Sequence, residues 1–219
     1  MIKRSKNGLL IVVSGPSGCG KSTLNSMLLK RRDNIVMSIS DTTRHPRGSE
    51  VNGVDYNFIS VEQFKENIRN NKYLEYAMVY TDTYYGTPTD FVNQKLKQGI
   101  DVILEIDIEG ARKINEVRKD AVFIFIMPPS MKVLKERLIS RKTESKDQVI
   151  ERFKTAYKEI NEVSKYNYVI VNDNVEDSVN IMESIITCEK CRVDRIEDVE
   201  IGNQEEIIHE ILMDFNDAK

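Results

Sequence analysis

Nowhere in its 219 residues does the chain hold more than seven apolar residues in a row, the longest runs being 9–13 and 121–127. A membrane-spanning helix needs about 20. The basic first eight residues are followed by only five apolar residues and then a Gly/Ser cluster, too short for a secretory signal. Three cysteines, an odd number, make a disulfide framework improbable. Cys188 and Cys191 form a lone C-x-x-C with no second ligand pair, and His45 and His209 stand alone, so nothing resembles a zinc centre. With 32 Lys and Arg against 35 Asp and Glu, the net charge of −3 argues against nucleic-acid binding by bulk basicity. There is no internal repeat and no low-complexity tract. The expectation is a soluble, cytoplasmic protein without membrane or nucleic-acid partners.

What the chain does have is a core-forming composition, 40% hydrophobic and 31% charged, which excludes wholesale disorder. Apolar runs at 9–14, 101–106 and 121–127 predict buried strands. Alternation at 35–40 and a short run at 168–171 predict two more. Helical spacing marks 21–32, 61–71, 90–98, 130–140, 148–164 and 175–186, with Val133, Leu134 and Leu138 on one face of the fourth. Residues 142–147 form a polar break. Strands alternating with helices imply an α/β fold, with a parallel sheet covered on both faces. Residues 40–90 break the alternation and read as a small inserted subdomain with antiparallel strands. Residues 196–219 carry eight acidic residues and one lysine, and read as an appended helix or a frayed tail.

One motif carries chemistry by itself. Gly15-Pro16-Ser17-Gly18-Cys19-Gly20-Lys21-Ser22 fits G-x-x-x-x-G-K-[ST], between a predicted strand and a predicted helix. Glycines let backbone N–H groups turn inward around a phosphate, and the helix start adds its positive end. Lys21 can reach β/γ-phosphate oxygens, and the Ser22 hydroxyl can ligate Mg²⁺. The motif implies a bound nucleoside triphosphate and leaves the acceptor open. Arg44 and Arg47, three apart in a Pro-containing loop rich in hydroxyls, form a plausible anion fork. Tyr56, Tyr84 and Tyr85 could add phenol donors. Glu75 sits among apolar and aromatic residues, where a carboxylate needs a partner.

Over residues 9–195 the chain resembles the guanylate kinases. The matching pieces, in family order, are GPSGCGKST from Gly15, S-x-S-x-T-T-R-x-P-R from Ser38, EVNGVDYNF from Glu50, LEYA from Leu74, YYGTP from Tyr84, LEIDIEGA from Leu104, PPS from Pro128, E-R-L-x-x-R from Glu136 and VIVND from Val169. The resemblance implies a P-loop kinase fold with an inserted GMP-binding subdomain and a mobile helical lid. Its expected partition is a kinase domain over 1–195, with core segments 1–39, 91–134 and 161–195, the subdomain at 40–90, the lid at 135–160, and an acidic extension over 196–219 for which no family counterpart is matched.

The implied activity is transfer of the γ-phosphoryl group of ATP to GMP, with dGMP a further acceptor, and Mg²⁺ as cofactor. The implied ATP contacts are residues 15–23 (Gly15, Pro16, Ser17, Gly18, Cys19, Gly20, Lys21, Ser22 and Thr23) with Asn172 and Asp173. GMP phosphate falls to Ser40, Arg44, Arg47, Tyr56 and Tyr85, and guanine to Glu75 and Thr87 with Asp107 nearby. A carboxylate can accept together the N1–H and N2–H₂ donors that adenine lacks. Lys21, Arg44 and the lid arginines Arg137, Arg141 and Arg152 are the implied catalytic charges. Two other readings are a non-catalytic guanylate-kinase-like phosphopeptide-binding module and a kinase for another phosphorylated metabolite. The whole phosphate loop and the presence of Glu75 and Thr87 argue against them. The oligomeric state is open.

Overall fold

The computed structural model describes residues 2–4, 7–78, 83–140, 146–199 and 212. In chain order its elements are β1 (Ile2–Arg4), β2 (Leu10–Ser14), α1 (Lys21–Arg31), β3 (Ile35–Met37), β4 (Asp41–Thr42), β5 (Asn57–Phe58), α2 (Val61–Arg69), β6 (Tyr73–Met78), β7 (Tyr84–Pro88), α3 (Thr89–Lys97), β8 (Asp101–Glu105), α4 (Ile108–Val117), β9 (Val122–Met127), α5 (Met131–Ser140), α6 (Lys146–Ile160), β10 (Tyr168–Val171), α7 (Val175–Glu189) and β11 (Ile196–Val199).

Five strands form an all-parallel sheet in the order β10-β9-β2-β8-β3. Its central strands are apolar on both faces because both are covered. Ile11, Val13, Ile103, Ile124 and Ile126 point to one side, against Leu24 and Leu28 of α1 and Val179, Met182 and Ile186 of α7. Leu10, Val12, Val102, Leu104 and Phe123 point to the other, against Val92 and Leu96 of α3 and Ala111 and Ile114 of α4. Each such side chain removed from water contributes about 1.5–3 kcal/mol. The phosphate loop hangs from the C-terminal edge of this sheet, directly after β2, where parallel sheets place their ligands.

Residues 41–88 build a second sheet, β5-β4-β7-β6. Its β4–β7 and β6–β7 pairs are antiparallel as expected, whereas β4 and β5 run parallel. Phe64 of α2, fully buried, packs on the rings of Tyr73 at 4.5 Å and Tyr84 at 5.2 Å and anchors the helix to this sheet. A third cluster joins Leu134 and Leu138 of α5 to Ala156 of α6.

Several expectations change. The strand at 35–40 stops at Met37, and α4 is a helix the sequence reading did not single out. The polar break loses its last two residues to α6; the helix expected to reach 164 ends at Ile160, before a 3₁₀ turn at Val163–Lys165. Ile196–Val199 is neither helix nor frayed tail: it pairs antiparallel with Ile2–Arg4, setting Lys3 opposite Asp198. Residues 200–211 and 213–219 of the acidic segment lie outside the described residues.

Candidate active site

The phosphate loop keeps its shape because side chains have been omitted from it. Gly15 has φ +143°, and a Cβ there would stand 2.2 Å from the carbonyl oxygen of Ile126 on β9. Gly20, the residue preceding α1, has φ +98°, and its Cβ would meet the Asn172 amide at 2.3 Å. Lys21 curls back over the loop, donating to the carbonyls of Gly15 at 2.6 Å and Pro16 at 3.3 Å. Ser17, Gly18, Gly20, Lys21, Ser22 and Thr23 share one pocket with Glu105. Cys19 enters the site chiefly through its backbone: its thiol is buried in the core, within 3.9 Å of the Lys21 ammonium, and that burial raises its pKa. Pro16 is likewise buried.

Asn172 and Asp173, expected together near ATP, part company. Asn172 is buried and ties down the phosphate loop, donating from its side-chain amide to the Cys19 carbonyl at 2.8 Å and accepting from the Ser178 hydroxyl at 3.3 Å. Asp173 is exposed at the turn after β10. Both described arginines of the expected lid reach the loop. Arg137 of α5 donates to the carbonyls of Cys19 at 3.4 Å and Asn172 at 3.0 Å. Arg152 of α6 donates to the Ser17 hydroxyl at 2.6 Å. Arg141 lies outside the described residues.

Glu105, which sequence reading passed over, closes β8 beside the loop. The Ser22 hydroxyl donates to one of its carboxylate oxygens at 2.6 Å and the Asn25 amide to the other at 2.8 Å. The available signal was a carboxylate ending an apolar strand, within the quoted LEIDIEGA. A hydroxyl beside a carboxylate is a hard-oxygen pair, which suits Mg²⁺ because that ion takes one or two protein oxygens and keeps several waters.

From Glu105 the cleft continues past Ser22 and Asn25 to Ser38, Ser40, Glu50 and Tyr56, which line a cavity of about 690 Å³. Arg44 stands beside it. Its Nε donates to the Tyr85 hydroxyl at 3.0 Å, and its guanidinium lies 4.8 Å from the centre of the Tyr56 ring. Burial raises the pKa of Tyr56. Arg47 is exposed. Tyr84 departs from the expected phenol cluster, its ring packing on Phe64 rather than on Arg44.

Glu75 and Thr87 face each other across the β6–β7 ladder. The Thr87 hydroxyl donates to Glu75 at 2.8 Å, and both residues are buried. Burial pushes the Glu75 carboxyl up; the Asp107 charge adds to this, while the Thr87 hydrogen bond and the Lys113 charge oppose it. Thr87 thus spends its hydrogen on orienting the carboxylate. Asp107 caps α4 by accepting from the Gly110 N–H at 2.8 Å, and both it and Glu75 lie within 3.4 Å of where a Gly110 Cβ would be. Lys113, also unforeseen, reaches from α4 to donate to the Tyr76 carbonyl, tying the second sheet to the first.

Comparison with known proteins follows the same lines. The guanylate kinase family profile matches residues 7–189. A guanylate kinase of Clostridium perfringens is 52% identical over 213 residues, covering 97% of this chain and 98% of that protein. One of Clostridium tetani is 54% identical over 209 residues, covering 95% and 100%. The crystal structure of guanylate kinase from Anaplasma phagocytophilum superposes with a TM-score of 0.71 at 33% identity, covering 92% of this chain and 94% of that one. Coverage of 97% carries the alignment with the C. perfringens protein past residue 195 into the acidic segment, for which sequence reading matched no counterpart. Among the described residues, no helix is long and apolar enough to cross a membrane. The chain belongs to the guanylate kinase family.

Proposed function

We propose that the chain is an ATP:GMP phosphotransferase that moves the γ-phosphoryl group of ATP to GMP, with dGMP as a second acceptor, in the cytoplasm. The observation that carries the reading is the buried Glu75–Thr87 pair, in a chain that also holds a complete phosphate loop. An ionised carboxylate this buried is costly unless a ligand supplies donors. Guanine supplies two on one edge, and adenine presents an acceptor there instead. A site built on such bonds discriminates by about 10⁴ or more.

In this reading residues 40–90 hold the acceptor, 135–160 form a mobile lid, the remaining residues up to 195 form the core, and 196–219 stand outside catalysis. The loop amides of residues 15–23 and Lys21 bind the triphosphate. Arg44, Arg47, Tyr56, Tyr85 and Ser40 hold the phosphate of GMP; Glu75, oriented by Thr87 and with Asp107 beside it, holds the base. Ser22 and Glu105 would hold Mg²⁺, which when bound neutralises charge on the triphosphate oxygens. Asp173 remains the candidate for the adenine side, while Asn172 acts through the loop.

Phosphoryl transfer asks little covalent chemistry of the protein. It requires in-line placement and positive charge around the moving group. Lys21, Arg137 and Arg152 supply that charge at the loop, joined by Arg141 in the lid, and Arg44 supplies it from the acceptor side. A lid closed over the loop also excludes water, the competing acceptor. Coupled measurement of ADP release with GMP as acceptor tests the reading.

A further inference from the structure

The two arginines of the acceptor loop stand in different states. Arg44 has five N–H donors, and four of them are committed. One goes to the Tyr85 hydroxyl at 3.0 Å and one to the His45 carbonyl at 3.0 Å. Two more run side by side to the two carboxylate oxygens of Glu50, at 2.5 and 2.7 Å. Glu50 is held from a second direction by the Arg47 backbone N–H at 2.8 Å. The Arg47 guanidinium itself makes no hydrogen bond or ion pair with the described residues. Arg44's side chain is only 11% exposed, with Tyr56 and Phe58 rings beside it, so it offers an incoming anion few other approaches.

A carboxylate gripped by paired N–H bonds presents to an arginine the same two-oxygen edge as a phosphoryl group. Glu50 therefore fills the face of Arg44 that a phosphate would use. We propose that Glu50 is a specificity-determining residue of the acceptor site, a built-in competitor that yields the Arg44 fork only to an anion able to displace it. This rests on the reading of residues 40–90 as the GMP subsite. A phosphate monoester carries close to two negative charges at neutral pH. It outbids a single carboxylate where a phosphodiester or another carboxylate, each with one charge, does not. Glu50 lines the open cleft and its side chain is 25% exposed, so once displaced it regains water. Arg47, already free, meets the phosphate first.

The test compares the full chain with its Glu50→Ala variant by calorimetry, using GMP, guanosine, and inorganic phosphate in competition with GMP. GMP and phosphate are expected to bind about fivefold tighter to the variant, the scale of a lost partly exposed ion pair, with guanosine affinity unchanged. Weaker GMP binding with unchanged guanosine affinity overturns the proposal, because Glu50 would then be holding Arg44 in place for the phosphate. Carbon NMR of the Glu50 carboxyl in the unsubstituted chain covers the case of a variant that fails to fold. The Arg44 hydrogen bonds hold that carboxyl at about 2 in the free chain. At pH 7, where the phosphate is close to doubly charged, saturation with GMP is expected to move the Glu50 carboxyl resonance toward that of a solvated carboxylate; a resonance unmoved by GMP also overturns the proposal. An unsubstituted chain that binds no GMP at all removes instead the reading of the subsite.

Discussion

The side-chain amide of Asn172 donates to the carbonyl of Cys19 across 153 residues of sequence, at 2.8 Å and out of reach of solvent. Asn172 therefore stitches the turn after β10 to the phosphate loop. Its own backbone carbonyl accepts from Arg137, so one residue holds both the loop and an arginine of α5.

Asn172→Ala should leave the Cys19 carbonyl without this buried partner, a loss of about 1–3 kcal/mol. Thermal unfolding should show the lower stability. Steady-state kinetics should show the ATP KM rising more than the GMP KM, since the loop and not the acceptor sheet is loosened. Equal effects on both would mean that Asn172 stabilises the fold without shaping the loop.

Glu75→Gln should separate stability from selectivity. The folded-state pKa of Glu75 is raised, chiefly by burial. A carboxyl raised in this way favours the fold while protonated, and that contribution is lost as pH rises from the ordinary glutamate value through the raised one. At neutral pH the ionised side chain therefore weighs against folding. Replacing it with an amide should raise the melting temperature at pH 7 and change it less near pH 4. Discrimination of GMP from AMP should fall at the same time. A variant that melts lower at pH 7 would contradict the assigned sign.

Arg137→Ala and Arg152→Ala should each lower kcat by about a hundredfold, the scale of removing one group that stabilises transition-state charge. Binding of GMP alone should barely change, because the hydrogen bonds described for them go to Cys19, Asn172 and Ser17 at the loop end. Calorimetry with GMP and single-turnover kinetics separate the two quantities.

Truncation after Arg195 should remove β11 and leave β1 without its partner, lowering the melting temperature by a few degrees while kcat stays near normal. Arg195 itself is kept because it donates to buried Glu189 at 3.1 Å and to the Asp120 carbonyl at 2.8 Å. A folded but inactive truncation would show that the acidic segment takes part in turnover.

How much of this was legible in the sequence depended on how local each feature is. The phosphate loop declares itself because all its residues fall within one short run, Gly15 to Ser22, flanked by an apolar strand and a segment of helical spacing. The parallel sheet was readable for a similar reason: strands covered on both faces must be apolar throughout, as β2 and β9 are. Glu75 and Thr87 could be paired only through resemblance to a family, since their meeting depends on the β6–β7 register. Glu105 went unnoticed because its partners Ser22 and Asn25 lie 80 or more residues away. Glu50, though close in sequence to Arg44, has a role visible only once the loop is folded. The β1–β11 ribbon left no usable signal, being two strands of three and four residues from opposite ends of the chain.

The central claim is that one cleft binds a triphosphate at its loop end and sorts the acceptor base at Glu75. Its most direct test is ADP release from ATP, measured by a coupled assay with GMP, dGMP, AMP, CMP and UMP as acceptors at equal concentration. The account predicts turnover with GMP and dGMP, and rates at background with the other three. Turnover with AMP equal to that with GMP, or no ADP release with GMP at all, would contradict it.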